Sequence, residues 1–162
     1  MTIDTQIFEQ LSFLRGTETL IIGIGNTLKG DDAAGPLLCQ KLQQHRISAQ
    51  LIDAAIVPEN YIQQIIRKSP KNLIVIDAID FNAPPGSIKI FKPQELNSLV
   101  ISTHTLSPRL FVDMITAEID TETYFIGIQP AHTQLGQPLS PEVSDAVEQL
   151  LDILIKLFPP SD

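Results

Sequence analysis

Two runs, Leu20–Ile24 (LIIGI) and Leu73–Asp77 (LIVID), carry apolar residues at consecutive positions with no polar alternation. A strand with one wet face alternates, so these runs predict strands buried on both faces. Gln50–Asp53 is a weaker strand candidate, Ser87–Phe91 (SIKIF) alternates as an edge strand does, and Tyr124–Ile128 (YFIGI) is the fifth. Amphipathic segments fall between them. Gly35–His45, Pro58–Lys68, Pro108–Glu118 and Pro141–Leu157 each place apolar residues on one helical face, and Ile3–Leu14 predicts a further helix on the outside. Strands alternating with helices predict an α/β sheet covered on both faces. The connection from Asp77 to Ser87 (AIDFNAPPG) is too short for a helical crossover, which predicts a hairpin-like turn and a mixed sheet.

At 162 residues the chain predicts a single domain over 1–162, with residues 158–162 as a frayed tail. Charged residues sum to a net −8, which disfavours both nucleic acid and anionic membranes as partners. A single cysteine, Cys39, cannot make an internal disulfide, and no signal peptide or membrane span is visible; a reducing cytoplasm fits.

The loop after the first strand, Gly23-Ile-Gly-Asn-Thr-Leu-Lys-Gly-Asp-Asp-Ala-Ala-Gly-Pro, runs from a strand into a helix as phosphate-binding loops do. Its charge has the wrong sign for that. Leu28 breaks the dinucleotide fingerprint, and Asp31 and Asp32 stand where a P-loop needs Lys and Ser or Thr. The pair suits a cation or acid–base chemistry; helix capping accounts for one of the two. Asp53 and Asp77 close two strands, Asp80 follows the second, and ligands in open α/β sheets sit beyond such carboxyl ends. His104, in Ser102-Thr-His-Thr, precedes a helix. Asp32, Asp77 and His104 together would make an N/O ligand set suited to nickel, zinc, manganese or iron, with positions left open. His45 is read as solvated, Glu59 as a first-turn helix acid, and His132 as incidental. Cys39 is read as a small apolar helix residue rather than a nucleophile.

Several segments resemble the [NiFe]-hydrogenase maturation proteases, in their hydrogenase 3 (formate-hydrogenlyase-like) branch. They are the glycine–aspartate loop at 23–36, Pro58-Glu-Asn, Val75-Ile-Asp-Ala, Pro85-Gly, Ser102-Thr-His and Phe125-Ile-Gly-Ile-Gln-Pro, in the family's order. The resemblance implies a three-layer α/β/α sandwich around a twisted, mostly parallel five-stranded sheet. It implies an endopeptidase that removes a C-terminal extension from a hydrogenase large-subunit precursor after nickel insertion. It further implies that Asp32, Asp77 and His104 contact the metal, with nickel carried by the substrate rather than resident, and that the partner is the precursor, met by a monomer. Water could be activated by the metal or by a carboxylate such as Asp53. The chain departs from the family in its 1–18 N-terminal helical segment, in Ala33 where Gly is frequent, and in AHTQLGQP after Gln129-Pro. A metal-dependent hydrolase of a small substrate is a second reading. A phospho-receiver module is a third, but its acids should directly follow the first strand and a lysine the last.

Overall fold

The computed structural model describes residues 3–96 and 106–161. Five strands form one sheet: β1 (Thr19–Ile24), β2 (Gln50–Ala55), β3 (Asn72–Ala78), β4 (Ile88–Phe91) and β5 (Glu122–Ile128), in the order β2-β1-β3-β5-β4. The first four in that order run parallel, and β4 is antiparallel to β5. The helices are α1 (Ile3–Leu11), α2 (Ala34–Gln44), α3 (Ile62–Lys68), α4 (Pro108–Thr116) and α5 (Pro141–Leu157).

The two uninterrupted apolar runs are central strands, as their composition requires. Alternate residues feed two cores. Ile21, Ile74, Ile76, Ile126 and Ile128 pack with α1, α2 and α5. Leu20, Ile22, Leu73, Val75 and Phe125 pack with α3 and α4. Each Leu or Ile so buried contributes about 1.5–3 kcal/mol, so both faces of β1 and β3 are firmly committed. The period-2 rule also sends neighbouring residues at a strand end to opposite layers.

The hairpin expectation for β3 to β4 needs a correction. The sheet is mixed and β4 is its edge, but β5 lies between β3 and β4. The 79–87 segment instead climbs over the end of β5. Ile79 N–H donates to Ile128 O at 3.1 Å, and Gly86 N–H donates to Gln129 O at 2.8 Å. A buried β5 offers two edges, and parallel pairing with β3 uses only one. The short, alternating β4 covers the other. Two smaller differences concern helices. Residues Pro58–Tyr61 form a tight 3-10 turn before α3 begins. The N-terminal segment is no loose appendage, since Ile7, Leu11 and Leu14 are buried in the core against α5.

Both helices with a Ser-Pro start are capped as that dipeptide suggests. Ser107 Oγ accepts from Leu110 N–H at 3.1 Å and Ser140 Oγ from Val143 N–H at 3.4 Å. α2 has no such cap and is placed by close approach instead. A Cβ on Gly23 would lie 2.5 Å from the Gly35 carbonyl oxygen, so the first strand and the start of α2 touch backbone to backbone. Neither backbone can yield alone. Gly23→Ala should therefore lower stability by about 3 kcal/mol, the upper range for overpacking, read as a fall in the urea midpoint at unchanged slope.

Candidate active site

The carboxyl ends of β1 and β3 are adjacent, and beyond them lie two buried acids that the sequence singled out. Asp32 is 0 % exposed and Asp77 4 %. Asp32 lies in the tight turn Gly30–Ala33 that leads into α2. Its Oδ2 accepts from Asn26 N–H at 2.8 Å, which folds the loop back over the strand end. Asn26 Oδ1 accepts from Leu28 N–H at 2.9 Å, and Asp32 N–H donates to Lys29 O at 3.0 Å, completing a compact coil. Gly25 is required here, at φ +154, because a Cβ would run into the Asp32 carbonyl oxygen.

Asp77 is the penultimate residue of β3, on the face opposite Ile76. It looks into a recess lined by Ile24, Pro58, Leu106, Pro108, Phe111 and Phe125. An apolar lining lowers the local dielectric, so this carboxylate acts strongly on any cation or polarised group brought to it. Glu59 is exposed in the first turn after Pro58, as expected.

The capping expectation for Asp31 and Asp32 is corrected: neither side chain caps the helix it precedes. Asp31 reaches across to the segment before α5. Its carboxylate accepts from Ser140 N–H at 2.7 Å, Ser140 Oγ–H at 2.9 Å, Ala131 N–H at 2.8 Å and His132 N–H at 3.3 Å. Its own N–H donates to His132 O at 2.9 Å. Sequence reasoning missed this cross-link, whose partners lie about a hundred residues away. The adjacent Asp-Asp pair thus divides its labour. Asp31 builds the loop, and Asp32 is held at the sheet edge.

Gln129 was also missed as a structural residue. Its Oε1 accepts from Phe81 N–H at 2.8 Å and Ala83 N–H at 3.2 Å, and its Nε2 donates to Asp80 Oδ1 at 3.1 Å. The amide of Gln129 and the N–H of Asn82 hold the Asp80 carboxyl below its usual range. The turn directly after Asp77 is thereby fixed. His132 is not idle either, since its main chain meets Asp31 on both sides.

Asp53 sits apart from Asp77. It pairs in register with Gly23 on the α2 side of the sheet. There Gln40 Nε2 donates to Asp53 Oδ2 at 3.2 Å, and Ala55 N–H donates to Oδ1 at 3.2 Å. Cys39 is fully buried beside it, and burial first, then the Asp53 charge, pushes the thiol up to about 12. It is an inert core residue, as expected. His45 is exposed at the end of α2, also as expected. His104 lies outside the described residues. Among the described residues, no group of three or more His, Cys, Asp or Glu side chains is arranged to hold a metal. Of the three predicted metal contacts, the described residues thus hold two, Asp32 and Asp77, both buried carboxylates.

Comparison with known proteins matches residues 36–157 to the HycI family, described as hydrogenase maturation protease. The hydrogenase 3 maturation protease of Escherichia coli (strain K12) is 33% identical over 131 residues, spanning 80% of this chain and 83% of that protein. The crystal structure of a [NiFe] hydrogenase maturation protease HycI from Thermococcus kodakarensis KOD1 superposes with a TM-score of 0.83 at 26% identity, covering 94% of this chain and 97% of that one. The solution structure of the endopeptidase HycI from Escherichia coli gives a TM-score of 0.77 at 31% identity, over 84% of this chain and 88% of that one.

The two neighbouring aspartates should separate cleanly by mutation. Asp31→Ala removes the partner of three backbone N–H groups and a hydroxyl and should cost about 3 kcal/mol in a urea melt. Asp32→Asn should leave the melt within about 1 kcal/mol, because an amide oxygen still accepts from Asn26 N–H. Cys39 should resist alkylation by iodoacetamide at pH 8 in the folded protein and react once urea unfolds it, followed by intact mass.

Proposed function

Because the chain belongs to the hydrogenase maturation protease family, it is an endopeptidase of hydrogenase maturation, and we propose that Asp32, Asp77 and His104 read substrate-borne nickel before cleavage. In this reading the enzyme removes the C-terminal extension of a [NiFe]-hydrogenase large-subunit precursor once its metal is in place. The observation that supports it is two buried carboxylates beyond the adjacent strands β1 and β3: Asp77 near the end of β3 and Asp32 in the turn that follows β1.

Each residue then has a task. Asp32, locked by Asn26 N–H, and Asp77, in its apolar recess, offer carboxylate oxygens to the precursor's metal. His104 adds a nitrogen donor. The precursor's own ligands complete the coordination, so an empty nickel site in the substrate offers nothing to grip, and the bond stays intact. Cleavage is hydrolytic and of an aspartic, metal-assisted type. Water attacks the scissile carbonyl, a carboxylate on the Asp77 face accepts its proton, and that proton passes to the departing amine. The substrate's nickel supplies electrostatic polarisation to the carbonyl. Asp53 is not given the base role, because it lies on the α2 side with Gln40 and Ala55 on its oxygens. A monomer completes the reading; the net charge of −8 supports the absence of nucleic acid and the single buried cysteine supports a cytoplasmic setting. Among the described residues, no helix is long and apolar enough to cross a membrane.

The test uses purified protein with its cognate precursor, nickel-loaded or nickel-free, followed by intact mass. The loaded form should lose a C-terminal peptide and the empty form should not. Cleavage of both would discard the nickel checkpoint and keep the protease. Asp32→Asn, Asp77→Asn and His104→Ala should each lower processing by at least about a hundredfold while the melting temperature holds. Normal processing by all three would overturn the assignment.

A further inference from the structure

Six large apolar side chains are exposed among the described residues: Phe13, Leu28, Ile56, Leu110, Met114 and Leu135. Three of them, Leu28 at 66 %, Leu135 at 70 % and Ile56 at 46 %, stand on loops around the carboxylate edge. Those loops are joined by main-chain hydrogen bonds. Gly136 N–H donates to Leu28 O at 2.8 Å, and Gly25 N–H donates to Ala55 O at 2.8 Å, next to Ile56. Leu28 rides on the coil that Asp32 closes. A lone exposed leucine is ordinary. Apolar tips on loops pinned to one another, at the border of a buried carboxylate pair, hold a contact surface ready.

We propose that Leu28, Leu135 and Ile56 form an apolar rim that docks the folded large-subunit precursor beside its scissile segment. The inference rests on the proposed nickel-dependent protease reading and deepens it by naming the residues that hold the protein substrate. Continuity argues for this occupant. Leu28 stands exposed on the same 25–32 coil that Asp32 closes through Asn26 N–H, so a polypeptide that brings its bond to Asp32 meets Leu28 beside it. A folded protein would bury these side chains and exclude water around the reacting edge, as the apolar centre of a protein interface does.

The experiment measures steady-state cleavage of nickel-loaded precursor by the intact enzyme and by Leu28→Ser, Leu135→Ser, the double variant, and Phe13→Ser. Phe13 is 56 % exposed but lies against Tyr124, near the other end of the sheet. Each rim variant should raise KM about tenfold and the double variant about a hundredfold, with kcat within about twofold and no loss of melting temperature. Phe13→Ser should leave KM unchanged. Unchanged KM in the double variant overturns the rim, as does an equal rise with Phe13→Ser. A rise that tracks a falling melting temperature would make the leucines structural and also overturn it. These results all require cleavage by the unaltered enzyme. If that enzyme fails to cleave loaded precursor, the protease reading fails first and takes the rim with it.

Discussion

The carboxylate of Asp31 joins the two ends of this fold. It is fully buried, and it accepts from three backbone N–H groups and the Ser140 hydroxyl in the segment that leads into α5. A buried charge is tolerated only when its oxygens are satisfied, and here the satisfaction comes from chain 100 to 109 residues away. Several features follow from that arrangement. The first loop cannot swing, the start of α5 is anchored through Ser140, and Asp32 stands at the sheet edge at a defined height. The same hydroxyl of Ser140 also accepts from Val143 N–H, so one side chain caps the last helix and clasps the first loop.

Glycine and glutamine do the complementary work. Backbone contact between Gly23 and Gly35 brings α2 down onto β1, which carries the Asp32 turn over the end of β3. Gln129 uses its amide to secure the 79–83 turn, so the chain leaving Asp77 is as firmly held as the chain arriving at it. The proposed contact with a precursor's metal would benefit from such rigidity, because donors that need no reorganisation lose little entropy on contact. The apolar rim extends the same logic outward, with loops pinned by main-chain bonds and side chains presented to whatever docks.

Much of this was legible in residue patterns. LIIGI and LIVID have no polar face, so they had to be central strands. Apolar spacing placed two helix starts at Pro108 and Pro141, where they stand, and the sign of the Asp-Asp pair argued against phosphate. Other features were hidden for identifiable reasons. β4 was expected to turn back on β3, because sequence distance suggested it. Pairing depends on which edge is open, and β5, arriving later in the chain, took the place beside β3. Asp31 and Asp32 were indistinguishable as neighbours in sequence, and only their partners separate them. Gln129 carries no local signal for this role, since all of its side-chain hydrogen bonds but one are with residues 80–83.

The amino-acid sequence by itself determined the buried strands, the amphipathic helices and the order in which acids meet strand ends. Those properties follow from local periodicity and from the cost of burying unpaired polar groups, both written in neighbouring residues. Tertiary structure decided which acid does what. Asp53 and Asp77 both close strands, yet they face opposite layers, because register and the two-residue repeat of the strand, not chain position, set the direction of each side chain. Asp31 and Asp32 differ for the same kind of reason: a carboxylate's role comes from the groups that donate to it, and those are gathered only when distant segments pack.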